Sequence, residues 1–316
     1  MSILSFVLGY VLDLILGDPY NFPHPVRLIG KLVRKVETLI RRRVTSSKGL
    51  QIGGGVLWLV VVGTTFITSY GLIQISRVHP ILYGIVSTYL IYTTLATKCL
   101  GQEAYKIYQV LNTKSLEEAR VQLSYIVGRD TQSLSEEEVI KATVETVAEN
   151  TVDGVIAPLF YAFIGGAPLA LAYKAVNTLD SMVGYKNEKY KDLGMVSARI
   201  DDAANFIPAR LTALLMSMAC GLLRLKGRQA LSIAIRDRKN HKSPNCAYPE
   251  GAVAGALGIQ LGGTHTYFGE EVYKPTIGDA LRKINKEDIL KTNAILYTTS
   301  GLSFILFMCM YLLVVK

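Results

Sequence analysis

Charge is scarce in this chain. Only 19% of its 316 residues are Asp, Glu, Lys or Arg, against 50% that are hydrophobic. A soluble domain can match the second figure, but it rarely adds a positive mean hydropathy (+0.30) and long uncharged runs. Cysteine is scarce too. Cys99, Cys220, Cys246 and Cys309 share no metal-type spacing, so they are expected to be reduced packing residues rather than a disulfide pair or a thiolate metal site. Familiar nucleotide and hydrolase signatures are missing: no G-x-x-x-x-G-K-[ST], G-x-G-x-x-G, G-x-S-x-G or H-E-x-x-H occurs. There is no low-complexity tract and no solenoid-type repeat. The N-terminus has no basic n-region, and Leu16-Gly17-Asp18-Pro19 is not a small-residue cleavage site, so the first apolar segment is expected to stay in the mature protein.

What charge there is leans positive, with a formal net of +9. No basic patch interleaved with aromatics supports a nucleic-acid partner. The excess instead reads as the basic loops of a membrane protein facing an anionic leaflet, with the lipid bilayer as the partner.

The apolar runs supply the spans. A crossing helix needs about 20 mostly apolar residues. Residues 53–76, 80–97 and 293–315 qualify. Residues 2–17 form a shorter span holding Asp13, which is expected to face protein, since a carboxylate against lipid costs a few kcal/mol. Residues 154–173 and 206–223 are interrupted by Pro158, Gly165-Gly166 and Pro168, and by Pro208 and Arg210. They are expected either to span or to be re-entrant. The predicted architecture is therefore all-α: one polytopic membrane-embedded domain over 1–316, with four spans, two spanning or re-entrant segments and cytoplasmic helical loops. Eight Lys and Arg against one acid between Arg27 and Lys48 place that loop in the cytoplasm and the N-terminus outside. Residues 98–150 and 224–292 then lie in the cytoplasm as well. Gly53-Gly54-Gly55 reads as packing.

The acids and amides collect at the borders of the interrupted segments. Ser135 with Glu138 fits a capping box, opening a helix that runs toward Asn150. On it Lys141, Glu145 and Glu149 form one stripe, which Asp153 extends and Asn150 adjoins. Such a stripe alone is usually a solvated face with an ion pair. At a membrane boundary, acids call for a partner, and hard oxygen ligands suit Mg²⁺. Lys174, Asn177 and Asp180 form a second group. Asp201-Asp202, with Asn205, Arg199 and Arg210, form a third, in which the arginines offer forks for anions. His24 and His241 sit in turn-rich segments and are acid–base candidates or structural residues. His79 and His265 read as ordinary. The groups alone also suit a membrane phospho- or prenyl-transferase acting on a metal-bound diphosphate, or a transporter with a midplane site.

Taken in order, these motifs resemble the CobD/CbiB family of cobalamin biosynthesis proteins nearly end to end. The resemblance rests on Gly17-Asp18-Pro19 with Pro23-His24-Pro25-Val26-Arg27, Gly128-Arg129-Asp130-Thr131, Glu145-Thr146-Val147-Ala148-Glu149-Asn150 with Asp153-Gly154, and Ala157-Pro158-Leu159-Phe160-Tyr161. It continues through Asn177-Thr178-Leu179-Asp180-Ser181-Met182, Ser197-Ala198-Arg199 with Asp201-Asp202, His241 with Ser243-Pro244-Asn245, Pro249-Glu250, and Ala254-Gly255-Ala256-Leu257-Gly258. Cys246-Ala247 departs from the family's usual loop.

The resemblance implies an ATP-dependent, Mg²⁺-requiring acid–amine ligase in the cell membrane, its active site facing the cytoplasm. It would join aminopropanol, or its O-phosphate, to the propionate of adenosylcobyric acid, beside other membrane enzymes of late cobalamin assembly. On that reading Glu145, Glu149, Asn150, Asp153, Asp201 and Asp202 contact metal or nucleotide. Lys174, Asn177, Arg199, Arg210 and Arg27 hold substrate or its anions, and Asp180, His24 and His241 are the acid–base candidates.

Overall fold

The computed structural model describes residues 2–19, 23–267 and 270–314. In chain order its helices are α1 (Ile3–Leu16), α2 (Pro25–Arg43), α3 (Ser47–Ser76), α4 (Pro80–Tyr92), α5 (Thr97–Thr113), α6 (Leu116–Ser124) and α7 (Glu136–Thr151). There follow a π-helical turn at Val152–Ile156, α8 (Ala157–Val183), α9 (Met195–Ala204), α10 (Phe206–Leu222), α11 (Gly227–Arg236), α12 (Ala247–Leu257), the strands β1 (Leu261–Tyr267) and β2 (Glu270–Ile277), and α13 (Glu287–Val314). Three helical stretches are long and apolar enough to cross a membrane: Ser47–Ser76, Glu136–Val183 and Glu287–Leu313. The pair α9 and α10, bent by 46°, makes a fourth if it counts as one span. The class is that of a polytopic helical membrane protein. The described residues gather into two compact units, one of residues 1–96, 157–205 and 307–316, the other of 97–156 and 206–306.

In the first unit, Asp13 is fully buried, as a carboxylate on an apolar helix must be. The basic connecting segment forms the helix α2. Its apolar residues recur at helical spacing, so Ile29 and Val33 turn inward onto Leu57, Val61, Leu179 and Leu193, while Arg27, Lys31, Arg34 and Lys35 stay exposed. Gly53 and Gly54 let α3 come close to its neighbours. A Cβ on Gly53 would lie 2.6 Å from Ile40 Cγ2, and one on Gly54 would overlap the Leu193 carbonyl. The apolar run 80–97 is not one helix: α4 ends at Tyr92, and Thr93 and Thr94 turn their hydroxyls back onto the Leu90 and Ile91 carbonyls. Its 13 residues reach about 20 Å, short of the roughly 30 Å hydrocarbon core. α8 is broken at Gly166, whose φ of 69° and ψ of −165° leave helical space, and it restarts at Ala167 with Pro168 in its first turn. The interruption expected within 154–173 is thus a break at Gly166, inside a stretch still long and apolar enough to cross.

In the second unit, α7 opens with the expected capping box. The Ser135 hydroxyl accepts from the Glu138 N–H, and the Glu138 carboxylate accepts from the Ser135 N–H at 2.7 Å, a device worth about 1 kcal/mol. α12 is built of small residues and buried along its length. Gly251 and Gly255 put its backbone against α11: a Cβ on Gly251 would sit 2.8 Å from Ala234 Cα, and one on Gly255 2.6 Å from the Gln229 carbonyl. Cationic forks tie the connections. Arg236 binds Asp237 and Asp279 together, and Arg282 grips the buried Asp288 with two hydrogen bonds. The antiparallel pair β1–β2 was not expected from an all-helical reading. Span 293–315 falls within α13, except that residue 315 lies outside the described residues. The side chain of His265 also lies outside them.

Candidate functional site

The second unit contains a buried group of opposite charges assembled from α7, α12, the loop before α7, the loop before α12 and the hairpin. Glu145 is its fixed point. Arg129 donates to Glu145 Oε2 at 2.8 Å, with both side chains under 10% exposed. The Gly262 N–H donates to the other oxygen, Oε1, at 2.8 Å. One helical turn on, Glu149 Oε1 accepts from the Cys246 thiol at 2.9 Å. Lys141, expected in the same stripe, pairs with Glu137 in the preceding turn instead.

Glu250 lies one turn after Cys246, in the first turn of α12, and is 3% exposed. It makes no hydrogen bond or ion pair among the described residues. Burial, and then the charges of Glu145 and Glu149, push its carboxyl well above the usual carboxylate range, while Lys274 and Arg129 pull the other way. The same surroundings raise the Cys246 thiol well above its ordinary value: burial first, then Glu149 and Glu250. That thiol is a donor to a carboxylate, not a nucleophile.

His241 is held in one tautomer by its own loop. The Ser243 N–H donates to Nδ1 at 3.0 Å, and a backbone N–H can only donate, so the neutral ring carries its proton on Nε2. Burial lowers the ring's pKa, against the pull of Glu149, and favours that neutral form. Nε2 itself is buried and meets no hydrogen-bond partner. The expected acid–base role therefore narrows: His241 offers a hydrogen bond to an incoming acceptor and has no free lone pair with which to take a proton. Arg210 anchors the same loop. Its Nη1 donates to the Phe206 carbonyl at 2.6 Å and to Asn245 Oδ1 at 3.3 Å, and its guanidinium stacks over Phe206 and Tyr248. Its remaining N–H groups make no hydrogen bond among the described residues and stay available to an anion.

The other sequence candidates divide between this unit and the first. Asn150 directs its amide to the Thr146 carbonyl, and Asp153 sits in the π-helical turn, its charge acting on Cys246. Asp201, Asp202, Lys174, Asn177, Asp180, Arg199, His24 and Arg27 belong to the first unit. There Asp201 Oδ2 accepts from Asn205, whose Oδ1 in turn accepts from the Tyr173 hydroxyl at 2.8 Å. Lys174, Asn177 and Asp180 lie half-buried on α8, and each already interacts within the fold. Asp180 also fills the space beside Gly184, where any Cβ would overlap its Oδ1. His24 Nε2 lies 3.3 Å from Asp18 Oδ1, while Arg199 and Arg27 are exposed.

Among the described residues no three His, Cys, Asp or Glu side chains are arranged to hold a metal ion. Of the six expected ligands, Glu145 is committed to Arg129 and Gly262, Glu149 Oε1 to Cys246, and Asp201 Oδ2 to Asn205. Within each unit the expected donors thus form no ready-made site for a magnesium ion among the described residues. Of the residues that do gather, Arg129 and Glu250 sit in motifs already quoted for the resemblance but carry no local sign of burial, and Lys274 arrives on an unforeseen strand.

The fold and this group of side chains define a class: a helical membrane protein whose second unit gathers carboxylates, an imidazole and cations, with Arg129, Glu145 and Glu250 buried. The chain belongs to the CobD/CbiB family of cobalamin biosynthesis proteins. The family model described as CobD/Cbib protein matches residues 6–296. Cobalamin biosynthesis protein CbiB of Salmonella arizonae is 55% identical over 308 residues, 97% of each chain. Cobalamin biosynthesis protein CobD of Listeria monocytogenes is 55% identical over 314 residues, 99% of each, and that of Citrobacter koseri 54% over 316 residues, all of this chain and 99% of the relative. No solved structure matches.

Proposed function

We propose that this protein is a multi-pass cell-membrane acid–amine ligase of cobalamin biosynthesis. It joins aminopropanol or its O-phosphate to the propionate of adenosylcobyric acid, with ATP as co-substrate, on the side of the membrane that carries the basic α2. The observation that carries this reading is Glu250: a buried carboxyl without a hydrogen bond, facing Glu145 and Glu149, in a group that also holds Arg129, Lys274 and His241.

The chemistry follows from the atoms. A carboxylate does not react with an ammonium ion. The carboxylate oxygen must first take the γ-phosphoryl group of ATP, releasing ADP. The amine must lose a proton before it attacks the acyl carbon, and phosphate then leaves with the C–O bond. Glu250, its proton affinity raised by burial and then by its acidic neighbours, is suited to take that proton, and Glu149 to attract the ammonium beforehand. His241 Nε2–H and the free edge of Arg210 are suited to the developing oxyanion and to phosphate oxygens. Magnesium enters as a companion of the nucleotide phosphates, where one or two carboxylates commonly suffice, and no step here depends on a protein-built ion site.

The test is purified protein in detergent with adenosylcobyric acid, aminopropanol phosphate and Mg-ATP. The expected outcome is the mass of the cobinamide phosphate amide, with one ADP per product. Intact substrates after prolonged incubation, or label in lipid instead of corrinoid, would overturn it.

A further inference from the structure

The turn between α3 and α4 and the break in α8 line a partly open pocket of about 100 Å³ in the first unit. Tyr70, Gln74, Arg77, Tyr83 and Ser87 line it together with the broken segment Gly165–Pro168. The side chains of Gln74, Arg77 and Tyr83 make no hydrogen bond or ion pair among the described residues. Ser87 is 2% exposed, and its Oγ has no partner. A buried hydroxyl left that way is costly, so a group that bonds it is favoured.

The backbone adds a donor end. Because Gly166 leaves helical space, α8 restarts at Ala167, and the first-turn N–H groups of a restarted helix have no intrahelical acceptor. They also carry the positive end of the helix dipole. Half-helix N-termini at such breaks in membrane proteins receive anionic groups. Here that end, an uncommitted guanidinium and an unpartnered hydroxyl line one cavity.

Position narrows the ligand. α3 has 30 residues, about 45 Å of rise, enough to cross the bilayer. The cavity lies at its far end from the basic α2. Val78 and Ile81, 80% and 66% exposed, stand beside Arg77, as side chains bordering lipid do. We propose that this cavity binds the phosphate of an anionic phospholipid headgroup. Its oxygens accept from Arg77, Gln74, Ser87 and the first turn of the restarted α8. The site is independent of the ligase reading.

The experiment uses the full chain in neutral detergent, titrated with dihexanoyl phosphatidylglycerol, dihexanoyl phosphatidylcholine or inorganic phosphate, with Tm and native mass spectrometry as readouts. Phosphatidylglycerol is expected to raise Tm saturably and to outcompete phosphatidylcholine. Arg77→Gln should weaken it by about tenfold or more, Ser87→Ala by less, and Arg77→Lys should recover part of the loss. Arg77 is exposed, so its variants are expected to match the unliganded Tm of the parent. Arg77-dependent saturation by inorganic phosphate, with none by phosphatidylglycerol, overturns the lipid assignment. Phosphatidylglycerol binding unchanged in R77Q and S87A overturns the site.

Discussion

Arg129 and Glu145 meet at 2.8 Å where both side chains are nearly dry. A buried pair of this kind is a poor source of net stability, because the ions lose their hydration. Losing one partner is severe, because the other charge is stranded. Arg129→Gln is therefore expected to lower stability by about 3–5 kcal/mol. Replacing both, as Arg129→Met with Glu145→Met, should recover much of that. Thermal unfolding in detergent measures both. A double variant no better than the single one would show that the pair is more than mutual neutralisation.

Glu250 sets activity against stability. Its carboxyl is raised above 4.5 by burial and by Glu145 and Glu149, so folding favours its protonated form. That contribution is complete below about pH 4.5 and is lost as pH rises through the folded value. Glu250→Gln should thus be more stable than the parent at neutral pH, with the gap closing toward pH 4.5. The same variant should lose amide formation by a factor of about 10²–10⁴, the range for a missing general base. Its residual rate should climb with pH as free amine accumulates. A variant with parental rate and an unchanged pH profile would remove Glu250 from the reaction.

His241 responds with the opposite sign. Burial depresses its pKa below 6.5, so its contribution is complete above about pH 6.5 and is lost as pH falls through the folded value. His241→Gln removes the titration and should flatten the stability curve below pH 6.5. Because the ring acts through Nε2–H, a glutamine N–H can stand in for it, whereas His241→Leu cannot. The measurement is kcat for the two variants side by side. Equal losses would argue against donation from Nε2.

Much of this group could be foreseen from local pattern, and the rest could not, for a physical reason. Ser135 and Glu138 announce their helix because a capping box is closed within four residues, and Glu145 and Glu149 share a face by helical period alone. Their partners come from far along the chain: Arg129 from a loop, Cys246 and Glu250 from a short Ala- and Gly-rich helix, Gly262 and Lys274 from a hairpin. No periodicity links such positions. The stripe pattern suggested Lys141 for Glu145, whereas Lys141 found Glu137 one turn back.

Gly262 shows how far the fixed point at Glu145 depends on backbone. Its φ is +77°, and a Cβ there would lie 2.6 Å from the Pro275 carbonyl, so only glycine presents this N–H to Glu145 Oε1 without strain. Gly262→Ala is expected to cost about 1–3 kcal/mol. The strain should also move the N–H off the carboxylate, and Glu145 would then lean more heavily on Arg129. The effects of Gly262→Ala and Arg129→Gln should therefore not add. Two donors to one carboxylate predict a coupling of about 0.5–3 kcal/mol, whereas a purely local backbone strain predicts additivity within about 0.5 kcal/mol. A double-mutant cycle on Tm in detergent separates the two. Coupling would mark Glu145 as the post to which the loop before α7 and the hairpin are both tied, and additivity would confine Gly262 to shaping the hairpin.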